Sequence, residues 1–372
     1  MIYLDNSATT QPLEEVISAV TENMRNNFGN ASSLHHMGVC AEEVIKEAKQ
    51  TILSGLGMSG NIFFTSGATE SSNTVLSGIP KTYRHSGNEI VSTTIEHPAT
   101  ANPLKKLEEA GYKVICVSPQ GEGSFESRII DAVNENTLLV SVMWVNNETG
   151  FLTDTAEIYS AVKRKNPKTI VHVDAVQGFR KLPTKTLKAD LISLSAHKIH
   201  GVKGVGALYC ADKIRFEPFL YGGGQQKDPR TGNERSGTEP IDLIAGFSAA
   251  VKHGTAGDES RFIPLYDRLA ELLGGLDDVV INSYHNAKHI MNFSVRGVRS
   301  EIMLHFLEER QIYVSSGSAC SKGKTSGVLK EFGVSDKDAD CAIRASFGYY
   351  TRLSDTEALA EGIADGIKRF RR

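Results

Sequence analysis

Ala189-Asp190-Leu191-Ile192-Ser193-Leu194-Ser195-Ala196-His197-Lys198 is an apolar run that ends on a polar cluster and leads into Gly201, Gly204 and Gly206. Its length and content fit a buried strand. A strand of that kind carries a serine, a histidine and a lysine to its C-terminal edge, and in open α/β sheets ligands sit beyond that edge. A poorly solvated or cation-flanked lysine loses its proton more easily and can act as a Schiff-base amine. Taken alone, Lys198 reads first as a solvated surface charge, as most lysines are.

Outward from this stretch the pattern repeats. Strand-like runs at Asn61 to Thr65, Glu89 to Ile95, Lys113 to Val117, Thr137 to Val145, Thr169 to Val173 and Gly206 to Cys210 join Asp190 to Ser195, with helical or turn-rich segments between them. Alternation of this kind predicts a mostly parallel sheet covered on both faces. Residues 41 to 57 carry helical spacing, ending at Gly55 or Gly57. From Gly222 to Thr238 the chain is polar and glycine-rich, and a loop of that length is usually functional. Strands at Val279 to Asn282, Ile290 to Val295 and Gln311 to Val314 then alternate with helices, and Asp355 to Phe370 closes as an amphipathic helix. The expected division is a large domain over 13–255, and a smaller α+β domain built from 1–12 and 256–372.

Composition narrows the function classes. The 372 residues suffice for two domains, and a net charge of -3 gives no reason to expect nucleic acid or an anionic membrane as partner. Met1 to Asp5 lacks a basic and apolar leader, and no apolar run is long enough to span a bilayer, so the expected location is the cytoplasm. Five scattered cysteines, Cys40, Cys116, Cys210, Cys320 and Cys341, argue against a disulfide framework and a zinc knuckle. No metal site is expected. Cys116 and Cys210 fall in apolar strand-like runs and are expected to be inert core residues.

Three further strand ends carry polar groups. Thr65-Ser66-Gly67-Ala68-Thr69-Glu70 breaks a strand and starts a helix at once, which suits an anion at the helix N-terminus, or is simply a capped helix start. Asp174 ends a β-branched strand; a buried carboxylate needs a partner, which a protonated pyridine nitrogen could be, or it caps the next helix. His97, in Glu96-His97-Pro98, could stack on a flat ring, move protons near neutral pH, or be structural. A phosphate cradle, a flat imidazole, a pyridinium acceptor and a Schiff-base lysine are the separate needs of one cofactor.

With these residues in view, the chain resembles the class V aminotransferase branch of the fold type I pyridoxal phosphate enzymes, and within it the cysteine desulfurases. The resemblance rests on Tyr3 to Thr10, Gly29 to His35, Thr65 to Ser71, Glu96-His97, Val145 to Gly150, Asp174 to Gln177, Ser195 to Lys198, Arg235 to Thr238 and Ser316 to Cys320, in the family's order. It implies a seven-stranded mostly parallel sheet in the large domain.

The resemblance further implies a pyridoxal 5'-phosphate held by Lys198 as a Schiff base, Asp174 on the ring nitrogen, His97 stacked on the ring and Gln177 donating to the phenolic oxygen. Ala68, Thr69, Ser195 and His197 would hold the phosphate, and Thr238 would reach the phosphate of a neighbouring subunit in a homodimer. Asn147 and Arg344 would take the carboxylate of L-cysteine, and Cys320 would leave with its sulfur as a persulfide. Delivery to an acceptor protein, a cluster scaffold or a tRNA-thiolation enzyme, would follow. The nearest other activities are selenocysteine lyase and class V aminotransferase. Gly317 to Gly327 is small and polar enough to be a loop, with Lys322 and Lys324 near the thiol. Ala31 and Val202 stand where the family usually has proline.

Overall fold

The computed structural model describes residues 1–316 and 327–370. The chain divides into two compact units: Gln11–Trp144 with Thr153–Gly257, and Met1–Thr10 with Val145–Leu152 and Asp258–Arg372. The boundaries fall close to residues 12 and 255, but Val145–Leu152, expected in the larger unit, belongs to the smaller one.

The larger unit holds seven strands: β1 (Asn61–Thr65), β2 (Glu89–Thr93), β3 (Lys113–Val117), β4 (Thr137–Met143), β5 (Ile170–Asp174), β6 (Leu191–Ser195) and β7 (Gly206–Cys210). They form one sheet in the order β1-β7-β6-β5-β4-β2-β3. Only β7 runs antiparallel to its neighbours, so β1, β2, β5 and β6 all end at the same edge. Five of the strands are buried at every position, as a doubly covered sheet requires. Around the sheet lie α1 (Glu14–Asn26), α2 (His36–Leu56), α3 (Ala68–Thr82), α4 (Pro98–Glu109), α5 (Phe125–Ala132), α6 (Thr155–Lys165) and α7 (Ile241–His253). Phe63, Val75, Ile79, Ile90, Leu139, Leu191 and Leu208 pack strands against helices in a single apolar cluster. Edge strand β1 is closed by a side chain: Gln226 accepts from the Phe64 N–H at 2.7 Å and donates to the Phe64 carbonyl at 2.8 Å. That satisfies an edge backbone that would otherwise pair with another chain.

One expectation is corrected here. Cys210 is buried, but Cys116 is exposed, because β3 is the outer strand of the sheet and none of its residues is fully buried. The Cys210 thiol donates to the carbonyls of Ala211 and Ile214, and burial pushes its pKa up to about 12.

The smaller unit carries a four-stranded sheet in the order Val279–Ile281, Ile290–Val295, Ala342–Ser346, Ser315–Ser316. It also holds α8 (Ile263–Gly274), α9 (Ser300–Glu308), α10 (Gly327–Glu331), α11 (Asp336–Asp340) and α12 (Leu353–Phe370). Gly327, expected in the loop, opens α10. The start of the chain is stitched into this unit, because Ile2–Tyr3 pairs in parallel with Ile312–Tyr313. Its core includes Leu4, Phe262, Leu269, Phe293, Phe306, Ile343, Leu359 and Ile363. Among the described residues, no helix is long and apolar enough to cross a membrane.

Candidate active site

The sheet edge shared by β1, β2, β5 and β6 receives the expected polar groups of the larger unit. At the end of β1 the chain turns through Ser66 and Gly67 into α3. Gly67 has φ +157°, and nothing lies within 4 Å of where a Cβ would stand. The leading N–H groups of a helix have no partner within it, and here they belong to Ala68 and Thr69. Thr69 is exposed, so its hydroxyl can add to this cradle. Below the turn, a Cβ on Gly206 would sit 2.6 Å from the Gly67 Cα and 2.5 Å from the Leu194 carbonyl, so only glycine lets β7 pass this close.

The turn is held from the side. Glu70 accepts from the Ser66 N–H at 2.7 Å and forms a two-point ion pair with Arg235 at 2.8 and 3.1 Å. Burial opposes ionisation of Glu70, yet the Arg235 and Ser66 hydrogen bonds outweigh it and hold the carboxyl below its usual range. Thr238, three residues beyond Arg235, is exposed, and among the described residues no hydrogen bond joins its side chain to the cradle.

His97 follows β2 and caps α4: its Nδ1 accepts from the Ala99 N–H at 3.1 Å. An accepting Nδ1 leaves the proton of neutral imidazole on Nε2 and fixes the ring plane. Burial lowers the His97 pKa, Asp174 opposing and Lys198 reinforcing. Asp174 ends β5. Its carboxylate accepts from the Val176 N–H at 3.0 Å, and among the described residues it has no second hydrogen bond. Burial raises its pKa, while His97 and Lys198 pull the other way. These three groups therefore lie within electrostatic reach of one another.

Lys198 closes the short 3-10 helix Ala196–Lys198, directly after β6 and the buried Ser195. His197 shares that turn. Burial, then Lys198, Lys203 and Lys181, press its pKa down to about 4, which leaves it neutral near physiological pH. Gln177, after β5, is buried, and its Oε1 accepts from Lys181 Nζ at 3.2 Å.

Two buried groups were not singled out from the sequence. Glu96 accepts from Thr93 Oγ1 at 2.6 Å and the Met143 N–H at 2.9 Å, and its Oε2 has no partner among the described residues. Burial, with the Asp174 charge adding, raises its pKa to about 8. Its position beside His97 was the available signal. His172, two residues before Asp174 and so on the same face of β5, is hydrogen-bonded to Ser141 and Ser193, each at 2.9 Å.

In the smaller unit, Arg344 is buried. It donates to the Asn147 carbonyl at 2.9 Å and meets Asp5 at 2.7 Å, with no partner for Nε among the described residues. It is thus an internal anchor joined to Asn147 through the backbone, and Asp5 is a counter-ion that sequence reading had only as part of a motif. Cys320 lies outside the described residues. The described residues contain no cluster of His, Cys, Asp and Glu suited to a metal ion.

The donor set fits pyridoxal phosphate. A buried carboxylate with an unused oxygen suits a protonated ring nitrogen, the open space at Gly67 with the leading N–H groups of α3 suits a phosphate, and a lysine follows the next strand. The fold is that of the fold type I transferases. The chain belongs to the aminotransferase class-V family, whose model matches residues 2–359. It is 35% identical over 386 residues to cysteine desulfurase IscS of Pasteurella multocida, covering 100% of this chain and 93% of that one. Among solved structures, a NifS-like protein superposes with a TM-score of 0.88 at 32% identity, covering 99% of both chains. SspA in complex with cysteine superposes with a TM-score of 0.80 at 28% identity, covering 95% of this chain and 100% of SspA.

Proposed function

We propose that this protein is a cysteine desulfurase: L-cysteine and the Cys320 thiol are converted to L-alanine and a Cys320 persulfide. The observation that carries this reading is the meeting of Asp174, His97 and Lys198 at one sheet edge, in a chain similar along its whole length to cysteine desulfurase IscS. The resident group is pyridoxal 5'-phosphate, which supplies an electron sink when bound.

The residues divide the work. Lys198 would hold the group, and its amine would take the proton from the substrate Cα and return one. Asp174, whose pKa burial raises while His97 and Lys198 pull it down, would pair with the ring nitrogen. Neutral His97, held by the Ala99 N–H on Nδ1, would stack on the ring. Gln177 donates to the phenolic oxygen. Ala68, Thr69, Ser195 and His197 hold the phosphate, neutral His197 as a hydrogen-bonding group. Thr238 completes the phosphate site of a second copy, so the working form is a homodimer.

Asn147 and Arg344 bind the substrate carboxylate; a guanidinium suits a planar carboxylate through paired N–H groups. The Cys320 thiolate attacks the substrate sulfur, the carbon–sulfur bond breaks, and the persulfide passes to an acceptor protein such as a cluster scaffold or a tRNA-thiolation enzyme.

The test is Cys320→Ala beside Lys198→Ala. With L-cysteine, Cys320→Ala should keep the bound chromophore and form neither persulfide nor alanine. Lys198→Ala should lose the covalent attachment. Normal alanine production by Cys320→Ala would overturn the sulfur-transfer step.

A further inference from the structure

Lys181 is a lysine with 3% of its surface exposed, and the larger unit has no obvious reason to bury it. An ammonium taken out of water is costly unless it finds acceptors. One of its acceptors is Gln177 Oε1, four residues earlier. The chain between them is coiled tightly, with the Phe179 N–H donating to Ala175 and the Leu182 N–H to Gly178, and residues four apart on such a coil share a face.

This contact fixes more than a distance. The two ends of a glutamine amide are nearly alike in shape, and which one faces a pocket is set by its hydrogen-bond partners. An ammonium has three donors and no acceptor, so only the amide oxygen can face it. The Gln177 NH2 group is then the end left to donate elsewhere. A phenolic oxygen beside a Schiff base is an acceptor and requires a donor.

We propose that Lys181 is a positioning residue: by taking Gln177 Oε1 it locks the amide so that Gln177 presents N–H, and not C=O, to the phenolic oxygen of the bound ring. The assignment rests on the reading that this pocket holds pyridoxal phosphate. Gln177 touches the cofactor, and Lys181 acts through Gln177.

The experiment is a spectrophotometric pH titration of the chromophore in the holoenzyme, for wild type, Lys181→Met, Gln177→Met and the double variant. Loss of one neutral hydrogen bond to the phenolic oxygen should move the chromophore midpoint by about half a pH unit or more. Lys181→Met and Gln177→Met should shift it in the same direction, and the double variant should match Gln177→Met alone. If Lys181 acted only as a nearby charge, its shift would persist in the Gln177→Met background, and additivity of this kind overturns the proposal. So does an unshifted Lys181→Met beside a shifted Gln177→Met.

Lys181→Arg keeps a donor-only cation and should retain the wild-type midpoint even if Lys181→Met folds poorly. A midpoint in Lys181→Arg equal to that of Gln177→Met counts against the assignment. Borohydride reduction and peptide mapping of wild type separates the two levels. If no pyridoxyl group is found on Lys198, the pocket reading fails and this inference falls with it; a labelled Lys198 with additive shifts sinks the Lys181 role alone.

Discussion

Glu70 and Arg235 stand 165 residues apart in sequence and meet side-on, Nε to Oε1 at 2.8 Å and Nη2 to Oε2 at 3.1 Å. The carboxylate also accepts from the Ser66 N–H, so one buried ion pair ties the glycine-rich stretch before α7 to the turn that starts α3.

Removing one partner leaves the other charge buried and uncompensated. Arg235→Ala is expected to cost about 3–5 kcal/mol in chemical denaturation, and the pair Glu70→Leu with Arg235→Met distinctly less. The folded-state carboxyl sits below its unfolded value of 4.5, so its contribution is present above that pH and is lost on acidification. Arg235→Ala should also weaken pyridoxal phosphate binding, measured by equilibrium dialysis, because the cradle turn loses its brace.

His172 is fully buried, and burial lowers its pKa from 6.5 to about 3. Between those values the unfolded chain binds a proton that the folded chain refuses, so stability falls as pH drops below about 6.5. His172→Ala removes that acid dependence but strands the Ser141 hydroxyl and takes one partner from Ser193, which keeps Ser72. Its expected cost at neutral pH is about 2–4 kcal/mol. Urea melts across the pH range separate the two effects.

Glu96 gives the opposite slope. Its folded-state pKa is about 8 against 4.5 unfolded, so between these the folded chain holds the extra proton and stability falls as pH rises. Glu96→Gln imitates the protonated acid, whose Oε1 already accepts from Thr93 and Met143. It is expected to match wild type near pH 4.5 and to be the more stable protein above pH 8. Parallel stability curves for the two proteins would refute this.

Arg344→Lys replaces a planar fork with a single ammonium where Asp5 and the Asn147 carbonyl are both engaged. If Arg344 anchors the substrate carboxylate, KM for L-cysteine should rise about tenfold or more, equivalent to ~1.4 kcal/mol, while the chromophore stays unchanged. Steady-state kinetics beside the absorption spectrum checks both halves.

The larger sheet was legible because its strands are apolar on both faces, a signal that does not depend on distant partners. The edge groups Lys198, Asp174, His97 and the Ser66-Gly67 turn were legible for a related reason: each directly follows such a strand. What escaped notice depends on long-range contacts. Nothing local in Ile343 to Ser346 marks a strand whose partner is Ile290–Val295 some fifty residues away. Cys116 looks like a core residue because a central strand and an outer strand share the same composition, and only the sheet order separates them. The Gln226 clamp on Phe64 is likewise invisible before the chain is folded.

Trp144 is the single tryptophan of the chain and is completely buried. Its backbone N–H donates to the Asp174 carbonyl at 2.9 Å, and its indole packs so tightly on Gly178 that a Cβ there would meet Cε3 at 2.3 Å. The molecule therefore carries one indole, shielded from water and fixed beside the residues that would grip a yellow ligand. Emission from this lone indole should drop as that ligand binds through resonance transfer, giving a label-free readout of occupancy that no other aromatic in the chain can contaminate at red-edge excitation.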